Sequence, residues 1–143
     1  MKKLILTAMS LLALLLPSCE KMESKGDVTF AKSSFESLVR GDTSVADKID
    51  WETLNSLGLP VGQQYVAFAN ETDRTNFRKG FITQFSASFR ESGGSVDSFT
   101  GWRVTSHDGT HTEVAADSSN GILKLTVSER DGQERLSAIE IVK

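Results

Sequence analysis

The single cysteine of this 143-residue chain, Cys19, is the residue whose position most clearly indicates a chemistry. A thiolate is nucleophilic enough to take up a diacylglyceryl group as a stable thioether. Cys19 follows a largely apolar run from Leu4 to Leu16, and two lysines precede that run. Since the run is shorter than the ~20 residues of a transmembrane helix, it is typical of a signal peptide. We therefore expect residues 1–18 to be removed on export and Cys19 to carry a lipid anchor.

Four side chains in the rest of the sequence are candidates for binding a ligand: Tyr65, Phe99, Arg103 and Glu140. The strand pattern described below directs Phe99 and Arg103 into the interior, and it directs Glu140 there if the last turn is tight. An interior arginine could bind a ligand carboxylate through two parallel hydrogen bonds. Alternatively, it forms a salt bridge with Glu140 or extends to solvent, because an unpaired buried charge is costly. Tyr65 is the only tyrosine of the chain.

The residue types needed for catalysis or metal binding do not form a recognisable set. His107 and His111 flank a predicted two-residue turn and would point to opposite faces, which disfavours a shared metal ion. The sequence has no glycine-rich phosphate loop, no metal-spaced Cys/His set and no nucleophile motif, and no acid pair is identifiable for general acid–base catalysis. We therefore expect a non-enzymatic protein that uses no metal and no cofactor.

The composition favours one acidic folded domain. The net charge is −3 and the basic residues form no stripe, which makes nucleic acid a poor partner. Residues 19–27 are polar and predict a short tether behind the lipid. Residues 28–143 are long enough for a single domain with its own core.

Apolar spacing predicts helices in the first half of this domain. Between residues 27 and 40, apolar side chains that include Phe35 and Leu38 fall on one side of a helix. A second, short helix is predicted from Asp50 to Gly58. A long helix is predicted from four phenylalanines spaced by four residues: Phe77, Phe81, Phe85 and Phe89. Because an aromatic stripe at this spacing is typical of core packing, we expect the long helix to lie across a sheet.

Three turn pairs predict an antiparallel meander in the second half of the domain: Asp108-Gly109, Asn120-Gly121 and Asp131-Gly132. Each pair accepts the positive φ angles of a tight hairpin turn and separates runs of strand-forming residues. The four predicted strands span residues 98–107, 110–117, 122–130 and 134–142. Two-residue turns would place Arg103 opposite Val114, Val114 opposite Val127, and Asp117 opposite Lys124.

The last strand and the outer face of this sheet leave alternatives open. A tight third turn directs Leu136 and Glu140 inward, whereas a bulged three-residue turn directs Ile139 inward. On the outer face, Trp102 and Val104 belong to a half-apolar surface. This surface is either a dimer or partner contact, or it is covered by the first helices.

The segment Leu16-Pro17-Ser18-Cys19 resembles the lipobox of bacterial lipoproteins, in which the cysteine becomes the first mature residue and carries the lipid. The resemblance implies an exported protein held on a bacterial membrane through Cys19. Many such lipoproteins carry an aspartate after the cysteine as an inner-membrane retention signal, whereas this chain has Glu20. The resemblance therefore implies the outer membrane, with its periplasmic and surface faces both open.

The element order of residues 27–143, with helices first, a long helix next and a meander last, resembles the nuclear transport factor 2-like cone fold. The resemblance rests on the phenylalanine helix and on the stretches 101–114 and 121–142. It implies an α+β domain whose N-terminal helices pack on a four-stranded antiparallel meander sheet and close over it. Proteins of this fold include isomerases, dehydratases and modules that bind ligands or serve structure.

The expected function is that of a lipid-anchored cell-envelope protein that binds a ligand or a protein partner without catalysis. The ligand would be small and either apolar or anionic, and the partner would be a second copy of the chain or another envelope protein. A cavity enzyme of the isomerase or dehydratase type is the first alternative. An assembly or inhibitor subunit of an envelope complex is the second.

Overall fold

The computed structural model describes residues 25–143, so Cys19, the predicted signal peptide and most of the predicted tether lie outside the described residues. Helices form the first part of the described chain and a sheet forms the second, which confirms the predicted α+β class. Within residues 25–143, no helix is both long and apolar enough to span a lipid bilayer.

One of the three predicted helices is absent from the described structure. Residues 25–39 form α1; the other helices are α2 (Val61–Val66), α3 (Glu71–Glu91) and the 3-10 segments Thr43–Lys48 and Val96–Ser98. The helix predicted from Asp50 to Gly58 is wrong. That segment runs beside the last strand, because the Asp50 amide donates to the Leu136 carbonyl at 2.9 Å and the Leu57 amide donates to the Ile139 carbonyl at 2.8 Å.

The long helix α3 is the predicted phenylalanine helix. It begins after Asn70, whose side-chain oxygen accepts a 2.8 Å hydrogen bond from the Asp73 amide and so satisfies one of the free donors of the first turn. The Ser86 hydroxyl donates a 2.6 Å hydrogen bond to the Val39 carbonyl. This bond joins the middle of α3 to the end of α1.

In the part of the chain that the structure describes, five strands form one mixed sheet in the order β1-β5-β4-β3-β2. They are β1 (Asn55–Ser56), β2 (Thr100–Asp108), β3 (His111–Ser118), β4 (Gly121–Arg130) and β5 (Gln133–Val142). The last four are antiparallel neighbours, but β1 lies parallel to β5 and makes the sheet mixed. The prediction of a four-stranded antiparallel sheet therefore misses a strand, since hydrophobic periodicity cannot reveal a strand of two residues.

The first two hairpins have two-residue turns, each one residue away from its predicted position. Asp108 pairs with His111, and Ser118 pairs with Gly121. Register shifts within β2 then place Arg103 opposite Ala115. All three predicted strand pairings are wrong as a result; the observed pairs are Val104 with Val114, Val114 with Leu125 and Asp117 with Ile122.

The third turn is tight, but halfway along β5 the side chains that point inward change places with those that point outward. Leu136 pairs with Val127 and Ala138 pairs with Thr126, so one extra residue lies between them. Because this bulge exchanges the two faces, both Leu136 and Ile139 are buried. Each alternative for the last strand thus holds for one half of β5.

The core lies between one face of the sheet and the helices α1 and α3. Phe35 of α1 is 1% exposed. Its ring centroid lies 6.4 Å from that of Phe85, 6.0 Å from that of Phe89 and 5.4 Å from that of Phe99, each in an edge-to-face arrangement. The phenylalanine stripe is therefore core packing, as predicted.

Candidate functional site

Arg103 lies on the outer face of the sheet, which contradicts its predicted position in an interior cavity. Its guanidinium forms two 3.1 Å hydrogen bonds with the Asp117 carboxylate, and Nη1 also donates to the Gly101 carbonyl at 2.9 Å. Gly101 has a φ of +65°, a conformation that favours glycine and accompanies the irregular pairing of β2. Arg103 therefore forms a salt bridge, as the alternative prediction held, but its partner is Asp117 and not Glu140.

Glu140 also lies on the outer face, so its predicted interior role is wrong. It is exposed and stands opposite Lys124, whose ammonium group lies 3.5 Å from the Glu113 carboxylate. Two strands, β4 and β3, separate the strand of Glu140 from that of Arg103. A salt bridge between the two predicted partners is therefore excluded by the sheet order.

Three further predicted residues lie on the core side of the sheet: Phe99, just before β2, and Trp102 and Val104 of β2. Phe99 belongs to the aromatic cluster around Phe35, and the Trp102 centroid is 6.4 Å from that of Phe35. Val104 packs against the same core. The predicted place of Trp102 and Val104 on the outer face is wrong. Both are half-buried and line an open cavity of about 360 Å³ beside α1, so a partner contact through them stays a prediction.

Tyr65 lines a polar cleft of about 380 Å³ near the turn between β4 and β5. We name this cavity the arginine cleft. Three arginines, three acids and four other residues line it: Ala46, Asp47, Asp50, Trp51, Glu52, Tyr65, Arg78, Arg130, Gln133 and Arg135.

The first arginine of the cleft, Arg78 of α3, is bound to Tyr65. Its Nη1 donates a 2.7 Å hydrogen bond to the Tyr65 hydroxyl, and its Nη2 donates to the Glu71 carboxylate at 2.8 Å. The hydrogen bond between Arg78 and Glu71 raises the pKa of the guanidinium and lowers the pKa of the carboxyl. Arg78 is therefore charged and already paired.

The second arginine, Arg130 at the end of β4, holds two carboxylates. Its Nη1 donates to Asp50 at 2.9 Å and its Nη2 donates to Glu52 at 2.7 Å. The hydrogen bond with Glu52 and the negative charge of Asp50 raise the pKa of Arg130. Because the Asp50 side chain is only 6% exposed, this contact attaches the segment before β1 firmly to the sheet.

The third arginine, Arg135 of β5, has no carboxylate within salt-bridge distance among residues 25–143. Its Nη2 donates a 3.3 Å hydrogen bond to the side-chain oxygen of Gln133. Its Nε is buried and has no hydrogen-bond partner in the described structure. Arg135 is thus the cation of the cleft with unused donors.

The sequence pattern singles out Tyr65 but none of the three arginines of the cleft. Arg78 comes from a helix, Arg130 from β4 and Arg135 from β5, so only the folded chain brings them together. Only one signal in the sequence places two of these arginines near each other: Arg130 and Arg135 both lie close to the third predicted turn.

A second cavity has a volume of about 630 Å³, and we name it the acidic cleft. It lies between residues 26–27 of α1 and two hairpin turns, the turn between β2 and β3 and the turn between β4 and β5. Asp27, His107, Glu129 and Glu134 are among the residues that line it. Glu134 stays exposed as a residue, yet partial burial, a hydrogen bond with Asp27 and the charges of Asp27 and Glu129 raise the pKa of its carboxyl to about 7. Asp27 and Glu134 thus form an acid pair that the sequence did not reveal, because they lie far apart along the chain.

The two histidines occupy different faces, as predicted. His107 pairs with Thr112 and its Nδ1 lies 2.8 Å from the Thr112 hydroxyl, whereas the His111 Nδ1 lies 3.0 Å from the Thr110 hydroxyl. In the part of the chain that the structure describes, no three His, Cys, Asp or Glu side chains are grouped so as to hold a metal ion.

No protein-family model, curated protein or solved structure matches this chain.

Proposed function

We propose that this chain is an exported, lipid-anchored cell-envelope protein whose domain binds a small ligand in the arginine cleft without catalysing a reaction. The anchor part of the proposal rests on the sequence, where Cys19 ends the apolar leader. The outer membrane is the proposed location, since Glu20 follows that cysteine.

A single observation carries the binding part: five donor-bearing side chains from different elements converge on one cavity. Tyr65 comes from α2, Arg78 from α3, Arg130 from β4, and Gln133 and Arg135 from β5. The cavity volume of about 380 Å³ lies within the range of small-molecule sites. Convergent polar groups in such a cavity orient a ligand by hydrogen bonds.

Binding is favoured over catalysis in this cleft because its tyrosine and its buried aspartate are occupied in structural contacts. The Tyr65 hydroxyl accepts from Arg78, and the Asp50 carboxylate accepts from Arg130. A general acid or base needs a proton that it can exchange with a substrate. These two groups instead hold the walls of the cleft together.

The alternative function is a cavity enzyme of the isomerase or dehydratase type that uses the acidic cleft. One observation favours it: the raised pKa of Glu134 lies near neutral pH, as a general acid or base requires. His107 lines the same cavity.

We also propose that the domain belongs to the nuclear transport factor 2-like cone architecture. The order of its elements supports this, since α1, α2 and α3 precede β2 to β5 and the core lies between α1, α3 and one face of the sheet. A second copy of the chain or an envelope partner stays part of the proposal, with the half-buried Trp102 and Val104 as its candidate contact.

The test is a nuclear magnetic resonance screen of the full chain carrying Cys19→Ala, with a set of small carboxylates, amides, sugars and apolar compounds. A binder that shifts the resonances of Tyr65, Arg130 and Arg135 supports the proposal. Arg103→Gln, on the outer face, is the matched control and should leave that binding unchanged. Binders that shift only residues of the acidic cleft would favour the enzyme alternative, and a set without any binder would contradict the proposed ligand site.

A further inference from the structure

Two of the three arginines of the arginine cleft are paired with carboxylates, and the third is not. Arg78 is paired with Glu71, and Arg130 is paired with Asp50 and Glu52. Among the described residues, Arg135 takes part in no ion pair, although it lines the same cavity. Arg135 is therefore the arginine of the cleft whose guanidinium is not already held by a carboxylate.

The geometry of Arg135 also indicates which part of the guanidinium would bind. Its Nε is buried and closed to the cavity, Nη2 donates to Gln133 at 3.3 Å, and Nη1 makes no hydrogen bond among the described residues. An oxyanion with two oxygens would accept from Nη1 and from the second N–H of Nη2 at once.

The acids of the cleft limit the charge that such a ligand can carry. Asp47, Asp50 and Glu52 all line the cavity, and Asp47 forms no ion pair among residues 25–143. These carboxylates repel a second negative charge on a bound molecule. A carboxylate with one charge and two equivalent oxygens meets both conditions better than a phosphate dianion does.

We propose that the arginine cleft recognises the single carboxylate of a small ligand through a forked contact with Nη1 and Nη2 of Arg135. This inference rests on the proposed binding function and adds the chemical class of the ligand. Arg78 and Arg130 shape the cavity, and Arg135 supplies the contact that the carboxylate makes.

The experiment uses the full chain carrying Cys19→Ala and follows the arginine Nε–H resonances by nuclear magnetic resonance. Acetate, acetamide and inorganic phosphate are titrated at constant ionic strength. Acetate should shift the Arg135 Nε–H signal in a saturable way, whereas acetamide, which has the same shape without the charge, should not. Phosphate should bind more weakly than acetate near neutral pH.

Two substitutions and one control complete the test. Arg135→Lys keeps the charge but loses the fork, so it should weaken acetate binding about tenfold, and Arg135→Gln should weaken it at least as much. Arg103→Lys, in an exposed arginine that binds Asp117, should leave acetate binding unchanged. A dispersed amide spectrum shows for each variant that the chain is folded.

Three results would overturn the inference while leaving the binding function in place. They are equal binding of acetamide and acetate, tighter binding of phosphate than acetate, and equal shifts at Arg103 and Arg135. If acetate fails to bind but a neutral compound from the broader screen occupies the cleft, the ligand class is wrong. If no compound of the screen occupies the cleft, the proposed function itself fails.

Discussion

The hydroxyl of Tyr65 accepts a 2.7 Å hydrogen bond from Nη1 of Arg78, and this bond joins α2 to α3 beside the arginine cleft. The Tyr65 ring is 8% exposed and its centroid lies 5.9 Å from that of Trp51. The Arg74 guanidinium of α3 lies 5.6 Å from the ring centroid, and this cation–π contact also joins the ring to α3. Tyr65 thus contributes to the core through its ring and to the cleft through its hydroxyl.

Tyr65→Phe should lower the free energy of unfolding by about 1 kcal/mol. The substitution keeps the ring packing but removes an acceptor, and hydrogen bonds of this kind contribute ~0.5 to 1.5 kcal/mol. Urea unfolding followed by tryptophan fluorescence measures the change. Thr72→Val, which removes an exposed hydroxyl of α3, is the control with little expected effect. An unchanged midpoint for Tyr65→Phe would show that the bond to Arg78 does not stabilise the fold.

Arg130→Met should destabilise the domain more than the same change at Arg103. Removal of Arg130 leaves the Asp50 carboxylate, 6% exposed, without its cation, and a charged group left unpaired on burial costs about 1 to 3 kcal/mol. The pair of Arg103 and Asp117 is 43% and 54% exposed, so Arg103→Met should cost less than about 1 kcal/mol. Chemical denaturation of both variants measures the difference. Adding Asp50→Asn should restore part of the loss in Arg130→Met, and a failure to do so would contradict this assignment.

The raised pKa of Glu134 predicts that the free energy of unfolding decreases as the pH rises from 4.5 to about 7. In this window the unfolded chain releases the proton that the folded chain still holds, so the stabilisation present at lower pH is lost through the folded pKa. Glu134→Gln should reduce this slope. Because the carboxyl is largely exposed, we expect the wild-type and variant curves to differ by less than about 1 kcal/mol.

Urea midpoints measured across this pH window test the prediction for Glu134. Glu140→Gln removes an exposed carboxyl from the outer face of the same strand and is the matched control. Its curve should run parallel to that of the wild type. Parallel curves for Glu134→Gln would mean that burial and the neighbouring Asp27 do not raise the pKa of Glu134.

Cys19→Ala should move the protein from the detergent phase to the aqueous phase in a detergent partition assay. Without the thiol no thioether forms, and the loss of several acyl chains removes the membrane affinity that a single chain provides only marginally. Ser18→Ala keeps a small residue before the cysteine and should leave the protein in the detergent phase. Equal partition of the Cys19→Ala variant and the wild type would contradict lipidation.

The sequence by itself determined the class of each half of the domain. The spacing of Phe77, Phe81, Phe85 and Phe89 predicted α3 because helical periodicity follows from local geometry alone. The turn residues predicted three hairpins for the same reason, since positive φ angles select Asp, Asn and Gly at short range. The leader and Cys19 likewise form a local pattern, which the anchor experiment now has to test.

Tertiary structure alone decided which side chains share a face and which share a cavity. The irregular pairing of β2 moved Arg103 outward and Val104 inward, and the bulge of β5 moved Glu140 outward. A shift of a single residue exchanges the two faces of a strand, and no local pattern specifies such a shift. The arginine cleft was hidden for a related reason: Tyr65, Arg78, Arg130 and Arg135 belong to four elements, and only long-range packing brings them to one cavity.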